Sequence, residues 1–190
     1  MKTCLFHACS IDPKEKISVI DPTLCRGCGN CVAACPTGAR DLLLSPTQAV
    51  YNYIEQLSKY QPPVGPKVLG MLCEGCAYPA ADTVGLSGLN IPMNLSSIRV
   101  PCSCRIDPRF VLYGLEKRFD GILIGACHPE NCQYIGGNYD MERRVDLLKT
   151  ILKTKGLDDD RVKITFVSYL EGNKFKTDVE DFVAELGKKK

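Results

Sequence analysis

Twelve cysteines stand in a chain of 190 residues that has only 2 histidines and no tryptophan. In the first part of the chain, Cys25-x-x-Cys28-x-x-Cys31-x-x-x-Cys35-Pro36 has the spacing with which bacterial iron–sulfur proteins hold a [4Fe-4S] cubane. Thiolates two residues apart on a tight loop can face one cluster. Gly27 and Gly29 let the backbone approach it and aim N–H groups at its sulfurs. Pro36 stops the short helix that follows Cys31. A zinc ribbon would instead use separate C-x-x-C pairs. In two-cluster proteins the cysteine before the proline serves the other cluster. Cys25, Cys28 and Cys31 are therefore completed from about one hairpin upstream, where Cys9 stands with Ile17, Val19 and Ile20 supplying a strand between. Cys9 is preferred to Cys35 as fourth ligand. Cys4 and Cys35 are left as buried thiols or parts of a second, incomplete cluster motif, and His7 as a bystander.

The remaining cysteines are Cys73-x-x-Cys76, Cys102-x-Cys104 and Cys127-x-x-x-x-Cys132. Cys73, Cys102 and Cys127 each directly follow a predicted strand. The carboxyl ends of parallel strands lie along one sheet edge, where open α/β folds place their ligands. Three strands thus deliver three thiolates to one place, and the loops after them add Cys76, Cys104 and Cys132. Thiols gathered without a metal would be an oxidation liability. The alternatives are a structural zinc, plain buried cysteines, and a redox-active dithiol at Cys73-x-x-Cys76.

The elements that must position these residues divide at Pro62-Pro63-Val64-Gly65-Pro66. Beyond this joint, short aliphatic runs at Lys67–Leu72, Ser97–Pro101, Gly121–Ala126 and Val162–Val167 alternate with helical patterns. Met141, Val145, Leu148 and Leu152 share one helix face; Phe175, Val179, Phe182 and Leu186 share another. Asp107-Pro108 reads as a helix start and Gly156 as a stop. Strand–helix alternation of this kind predicts an α/β fold: a four-stranded parallel, flavodoxin-like sheet flanked by helices. Before the joint, a unit of about 60 residues needs a staple such as a metal. Its one long helix signal has Ser45 as N-cap, Pro46 next, and Val50, Ile54 and Leu57 on one face. The expected division is an iron–sulfur arm over 1–60, a linker over 61–66 and an α/β domain over 67–190.

Composition narrows the function classes. At 45% hydrophobic and 24% charged with a formal net charge of +2, the chain is neither disordered nor basic enough for a nucleic-acid binder. No apolar run approaches the roughly 18 residues of a membrane span, and Met1 to Ser10 is too poor in apolar residues for a secretory leader. A cytoplasmic location follows, where thiols stay reduced and cysteines are better read as metal ligands than as disulfides. No GxxxxGK[ST], GxGxxG, HExxH or Ser/His/Asp pattern supports nucleotide binding or hydrolysis. His128 is read as a packed or hydrogen-bonding side chain rather than a ligand. Arg143 and Arg144 are read as a docking pair, a charge offset or a solvated face, and Lys188 to Lys190 as a solvated tail.

The stretches Cys73-Glu-Gly-Cys76-Ala-Tyr-Pro-Ala-Ala-Asp82, Arg99-Val-Pro-Cys102-Ser-Cys-Arg105-Ile-Asp-Pro108 and Gly125-Ala-Cys127-His128-Pro129-Glu-Asn-Cys132 resemble the delta subunit of methyl-viologen-reducing hydrogenase. Gly137-Asn138-Tyr139 with Arg143-Arg144, and Glu171-Gly172 with Lys174-Phe175, extend the likeness over about Lys67 to Leu186. The resemblance implies a [2Fe-2S] cluster held by four of Cys73, Cys76, Cys102, Cys127 and Cys132; Cys104 stands where the family pattern has Gly. It further implies a place between a module of hydrogenase or formate dehydrogenase and the flavin-containing subunit of heterodisulfide reductase, in complexes of methanogens and relatives that split electron pairs. The arm, from Val19 through Pro36-Thr-Gly-Ala39, resembles half of a ferredoxin insert like the one closing that flavin-containing subunit. Function is therefore expected to be electron transfer through two clusters without a catalytic base, against the alternatives of a thiol–disulfide oxidoreductase or a zinc-stabilised scaffold.

Overall fold

A computed structural model describes residues 3–189; Met1, Lys2 and Lys190, the last closing the lysine run, lie outside the described residues. A hairpin opens it: β1 (Cys9–Ile11) pairs antiparallel with β2 (Ser18–Ile20), Cys9 opposite Ile20. A single turn of helix, α1 (Asn30–Ala33), and the longer α2 (Thr47–Ser58) follow. Then come β3 (Val68–Cys73), α3 (Ala77–Leu86), β4 (Leu95–Val100), α4 (Pro108–Glu116), β5 (Gly121–Ala126), α5 (Gly137–Thr154), β6 (Val162–Phe166) and α6 (Gly172–Gly187).

The last four strands form one parallel sheet in the order β4-β3-β5-β6, as the alternation predicts. The central strands β3 and β5 are buried along their whole length. That is the signature of parallel strands covered on both faces, and it is why their sequences are unbroken aliphatic runs. On one face α3 and α6 pack Val84, Phe175, Val179 and Phe182 against Leu72 and Leu123. On the other, α2, α4 and α5 pack Ile54, Phe110, Met141 and Val145 against Met71 and Ile122.

The start of α2 departs from expectation. α2 begins at Thr47 and not after a Ser45 cap: Asp41 accepts from the Thr47 backbone N–H at 2.9 Å and from its hydroxyl at 3.0 Å. The cap is thus a carboxylate six residues upstream, invisible to a rule that inspects the adjoining residue. α2 also lies on the α/β core, with Val50 and Ile54 buried and Tyr51 edge-on to Phe110 at 5.0 Å. By contrast Asp107 caps α4 as expected, accepting from Arg109 N at 2.8 Å. Past α6, Lys189 reaches Asp158 and Asp160 at 2.9 Å, so this part of the tail is tethered.

The chain leaves β3 toward β4 on one side and returns to β5 on the other. This reversal opens a crevice beyond the carboxyl ends of β3 and β5, the position where such sheets bind ligands.

Candidate metal-thiolate centres

The crevice is filled with sulfur. Cys73 ends β3, Cys76 caps α3, Cys102 and Cys104 occupy the 3₁₀ turn after β4, and Cys127 and Cys132 lie in the loop after β5. All six are buried and pack together, with Tyr134 and Cys28 of the arm against them. The Cys73 and Cys127 sulfurs are 3.4 Å apart across the two central strands.

Contact shifts neighbouring thiols in opposite directions. A hydrogen bond from Cys127 pulls the Cys73 thiol down to about 3, and Cys127 itself, bound to Cys132, Cys73 and Cys76, is held far above the usual thiol range. Hydrogen bonds from Cys102 and Cys127 draw Cys132 down to about 2, whereas its contacts with Cys102, Cys28 and burial push Cys104 far up. Backbone N–H groups of Gly75 and Cys76 point at Cys73, and those of Tyr134 and Asn138 at Cys132. Thiolates stabilised by main-chain donors in a dry pocket are the donor set of a soft, thiophilic metal centre.

Two residues let the pocket close. A Cβ on Gly137, the first residue of α5, would sit 2.6 Å from Cys102 Sγ and 3.1 Å from Cys104 Sγ. Its absence brings the positive end of an 18-residue helix onto the sulfurs. Asn138, buried beside it, donates from Nδ2 to the carbonyls of Cys127 at 3.1 Å and His128 at 2.9 Å, fixing the loop. His128 turns outward, pairing Nε2 with Glu171 Oε2 at 2.5 Å. Cys73 and Cys76 are only 2% and 8% exposed, which withholds this dithiol from a macromolecular disulfide.

The arm surrounds a second cavity of about 580 Å³ lined by Cys4, Cys9, Cys25, Cys28, Cys31 and Cys35. β1 carries Cys9, and α1 carries Cys31. Arg40 donates from Nη1 to Cys9 Sγ at 2.9 Å and also reaches Cys31. Cys9, raised to about 11 chiefly by burial, also touches Cys4. Cys35 stands at the same cavity with its sulfur 3.5 Å from the Thr37 hydroxyl, which lowers it to about 7. The cavity therefore offers both candidate fourth ligands and Cys4 besides. Its six cysteines, with glycines at φ +68° and +81° in the Cys25–Cys31 loop, suit a cubane approached closely by backbone.

The two sites touch, a relation no spacing rule discloses. Cys104 Sγ donates to the Cys28 carbonyl at 3.5 Å, and the Cys28 thiol is lowered to about 6, first by Cys104. Cys104, set aside on the family pattern, thus sits in the middle of the assembly. Arg144 clamps the junction: Nη1 donates to the Cys104 carbonyl at 2.7 Å and Nη2 to Asn30 Oδ1. Asn30 in turn donates to Asp140 at 2.5 Å and to the Thr3 carbonyl at 3.0 Å. Arg144 is accordingly an internal tie, whereas Arg143 is exposed and meets only Asp140, at 3.6 Å, among the described residues.

Two families match successive parts of the chain. A family described as methyl-viologen-reducing hydrogenase, delta subunit, matches residues 68–188, and one described as 4Fe-4S binding domain matches residues 18–41. One subunit of the ferredoxin:CoB-CoM heterodisulfide reductase of Methanosarcina mazei is 42% identical over 121 residues, covering 64% of this chain but 15% of that protein. An iron-sulfur subunit of the vhc F420-non-reducing hydrogenase of Methanococcus voltae is 39% identical over 125 residues, 64% of this chain and 87% of the relative. The corresponding F420-non-reducing hydrogenase iron-sulfur subunit of Archaeoglobus profundus is 36% identical over 123 residues and is covered to 90%. The chain thus spans most of these hydrogenase iron-sulfur relatives and a small part of the heterodisulfide reductase relative.

Proposed function

The chain belongs to the methyl-viologen-reducing hydrogenase delta subunit family, and from that membership we propose that it is an electron-transfer iron–sulfur subunit. The arm holds a [4Fe-4S] cluster through Cys25, Cys28, Cys31 and Cys9, in preference to Cys35. The α/β domain holds a [2Fe-2S] cluster through four of Cys73, Cys76, Cys102, Cys127 and Cys132, with Cys104 beside them. When bound, such clusters supply one-electron storage at potentials set by charge, hydrogen bonds and burial. The residues of this chain do the rest: thiolates hold the metal, backbone N–H groups aim at the sulfurs, and the apolar walls exclude water.

The observation that carries the reading is the contact of the two thiol sites through Cys28 and Cys104. Electrons delivered at one site need no third carrier to reach the other. No group on this chain is asked to make or break a covalent bond of a substrate, so the chemistry falls to partners: a hydrogenase or formate dehydrogenase module on one side, the flavin-containing subunit of heterodisulfide reductase on the other. We place this traffic in the cytoplasm; no helix among the described residues is long and apolar enough to cross a membrane.

The test is cysteine replacement in the full chain. Cys102→Ser is expected to remove the slow-relaxing EPR signal of the α/β site and spare the fast-relaxing signal of the arm. An unchanged spectrum overturns the assignment.

A further inference from the structure

Among the described residues, the buried side-chain polar atoms without a hydrogen-bond partner are Ser103 Oγ, Arg105 Nε and Arg105 Nη1. All three belong to the short turn that presents Cys102 and Cys104. Arg105 is 0% exposed, and burying a guanidinium is costly unless negative charge and acceptors compensate it. What surrounds it falls short. Nη2 donates to the Ser45 carbonyl at 3.1 Å and to Thr47 Oγ1 at 3.0 Å, and the Phe110 ring lies 5.1 Å from Cζ. The nearest carboxylate is that of Asp41, 3.7 Å away and half exposed.

Its stem lies on the arm. A Cβ added to Gly29, in the loop between Cys28 and Cys31, would be 2.4 Å from Arg105 Cδ. Arg105 also follows Cys104, whose sulfur meets Cys28. Arg105 thus carries a buried, under-compensated cation on a stem that lies at the junction of the two thiolate sites. Each site gains a negative charge on accepting an electron, and a fixed cation in a low-dielectric interior favours that charge.

We propose that Arg105 is a positioning residue for electron transfer: the shared counter-charge of both cysteine centres, raising the reduction potential of at least one of them. The inference rests on the two-cluster reading above and adds to it a specific determinant of potential.

The experiment is an EPR-monitored redox titration of the full chain and its variants, with iron, sulfide and thermal unfolding measured alongside. Arg105→Gln, with clusters retained, is expected to disfavour reduction of at least one centre about tenfold, a downward shift of about 59 mV for one electron. Arg105→Lys keeps the charge and is expected to stay near the unsubstituted value. Asp41→Asn keeps the α2 cap through its amide oxygen, removes the nearest opposing charge and is expected to shift the same centre upward. Full iron with unmoved potentials in Arg105→Gln overturns the inference, and so does an Arg105→Lys shift as large as that of the glutamine variant. Should Arg105→Gln lose iron, Asp41→Asn decides: an upward shift supports the inference and none overturns it. An unsubstituted chain without iron and sulfide would defeat the functional reading itself and this inference with it.

Discussion

Gly137 meets Cys102 so closely that a single methyl group on the glycine would stand 2.6 Å from the cysteine sulfur. Helix α5 therefore presses its amino terminus onto the thiols only because its first residue has no side chain. Gly137→Ala is expected to lower stability by about 1–3 kcal/mol through overpacking, since the pocket has little room to yield. The same change should weaken or abolish the metal signal of the α/β site while the arm retains its own. Thermal unfolding and EPR on one sample check both; a fully loaded variant of normal stability would show that the helix does not seat the thiols.

The tie between arm and core makes a separate prediction. Arg144→Met removes the donor that joins the Cys104 carbonyl to Asn30 and leaves buried acceptors unpaired. A loss of about 1–3 kcal/mol is expected. Protease susceptibility should rise within the arm and not within β3 to β6. Hydrogen exchange resolved by peptide separates this outcome from a uniform loosening, which would mean that Arg144 supports the core instead.

Helix α2 tests where the cooperative unit begins. Ile54 is fully buried among residues of the α/β core. Ile54→Ala should cost about 2–5 kcal/mol in denaturant unfolding. The loss should appear in the transition of the parallel sheet. A loss below about 1 kcal/mol would mean that the helix is a loosely held part of the arm.

Ligand choice in the arm is decided by a pair of variants. Cys9→Ser is expected to remove the fast-relaxing EPR signal and Cys35→Ser to leave it. Arg40→Met, which takes away the donor 2.9 Å from Cys9 Sγ, should perturb that signal without abolishing it. The reverse pattern for the two cysteines assigns the ligand to Cys35.

Much of the fold was legible because its causes are local. Unbroken aliphatic runs at Gly121–Ala126 and after Lys67 exist because strands covered on both faces have no polar side to show. Cys73, Cys102 and Cys127 could be gathered on paper because parallel strands end along one edge. What escaped is nonlocal. Asp41 caps α2 from six residues away, and Arg144 finds Asn30 across 114 residues. Cys104 looked dispensable against a family pattern because nothing in its neighbours shows that the arm would bring Cys28 to it. Arg105 is one residue of a motif in the sequence; its burial and its unpaired nitrogens single it out.

The proposed function requires two adjoining iron–sulfur centres on one chain. Its most direct test is iron and acid-labile sulfide content together with low-temperature EPR on the anaerobically purified, dithionite-reduced full chain. About six irons per chain are expected, with one fast-relaxing and one slow-relaxing signal that broaden each other because the sites touch. About four irons with a single cubane signal, and zinc or free thiols in the crevice between β3 and β5, would contradict it.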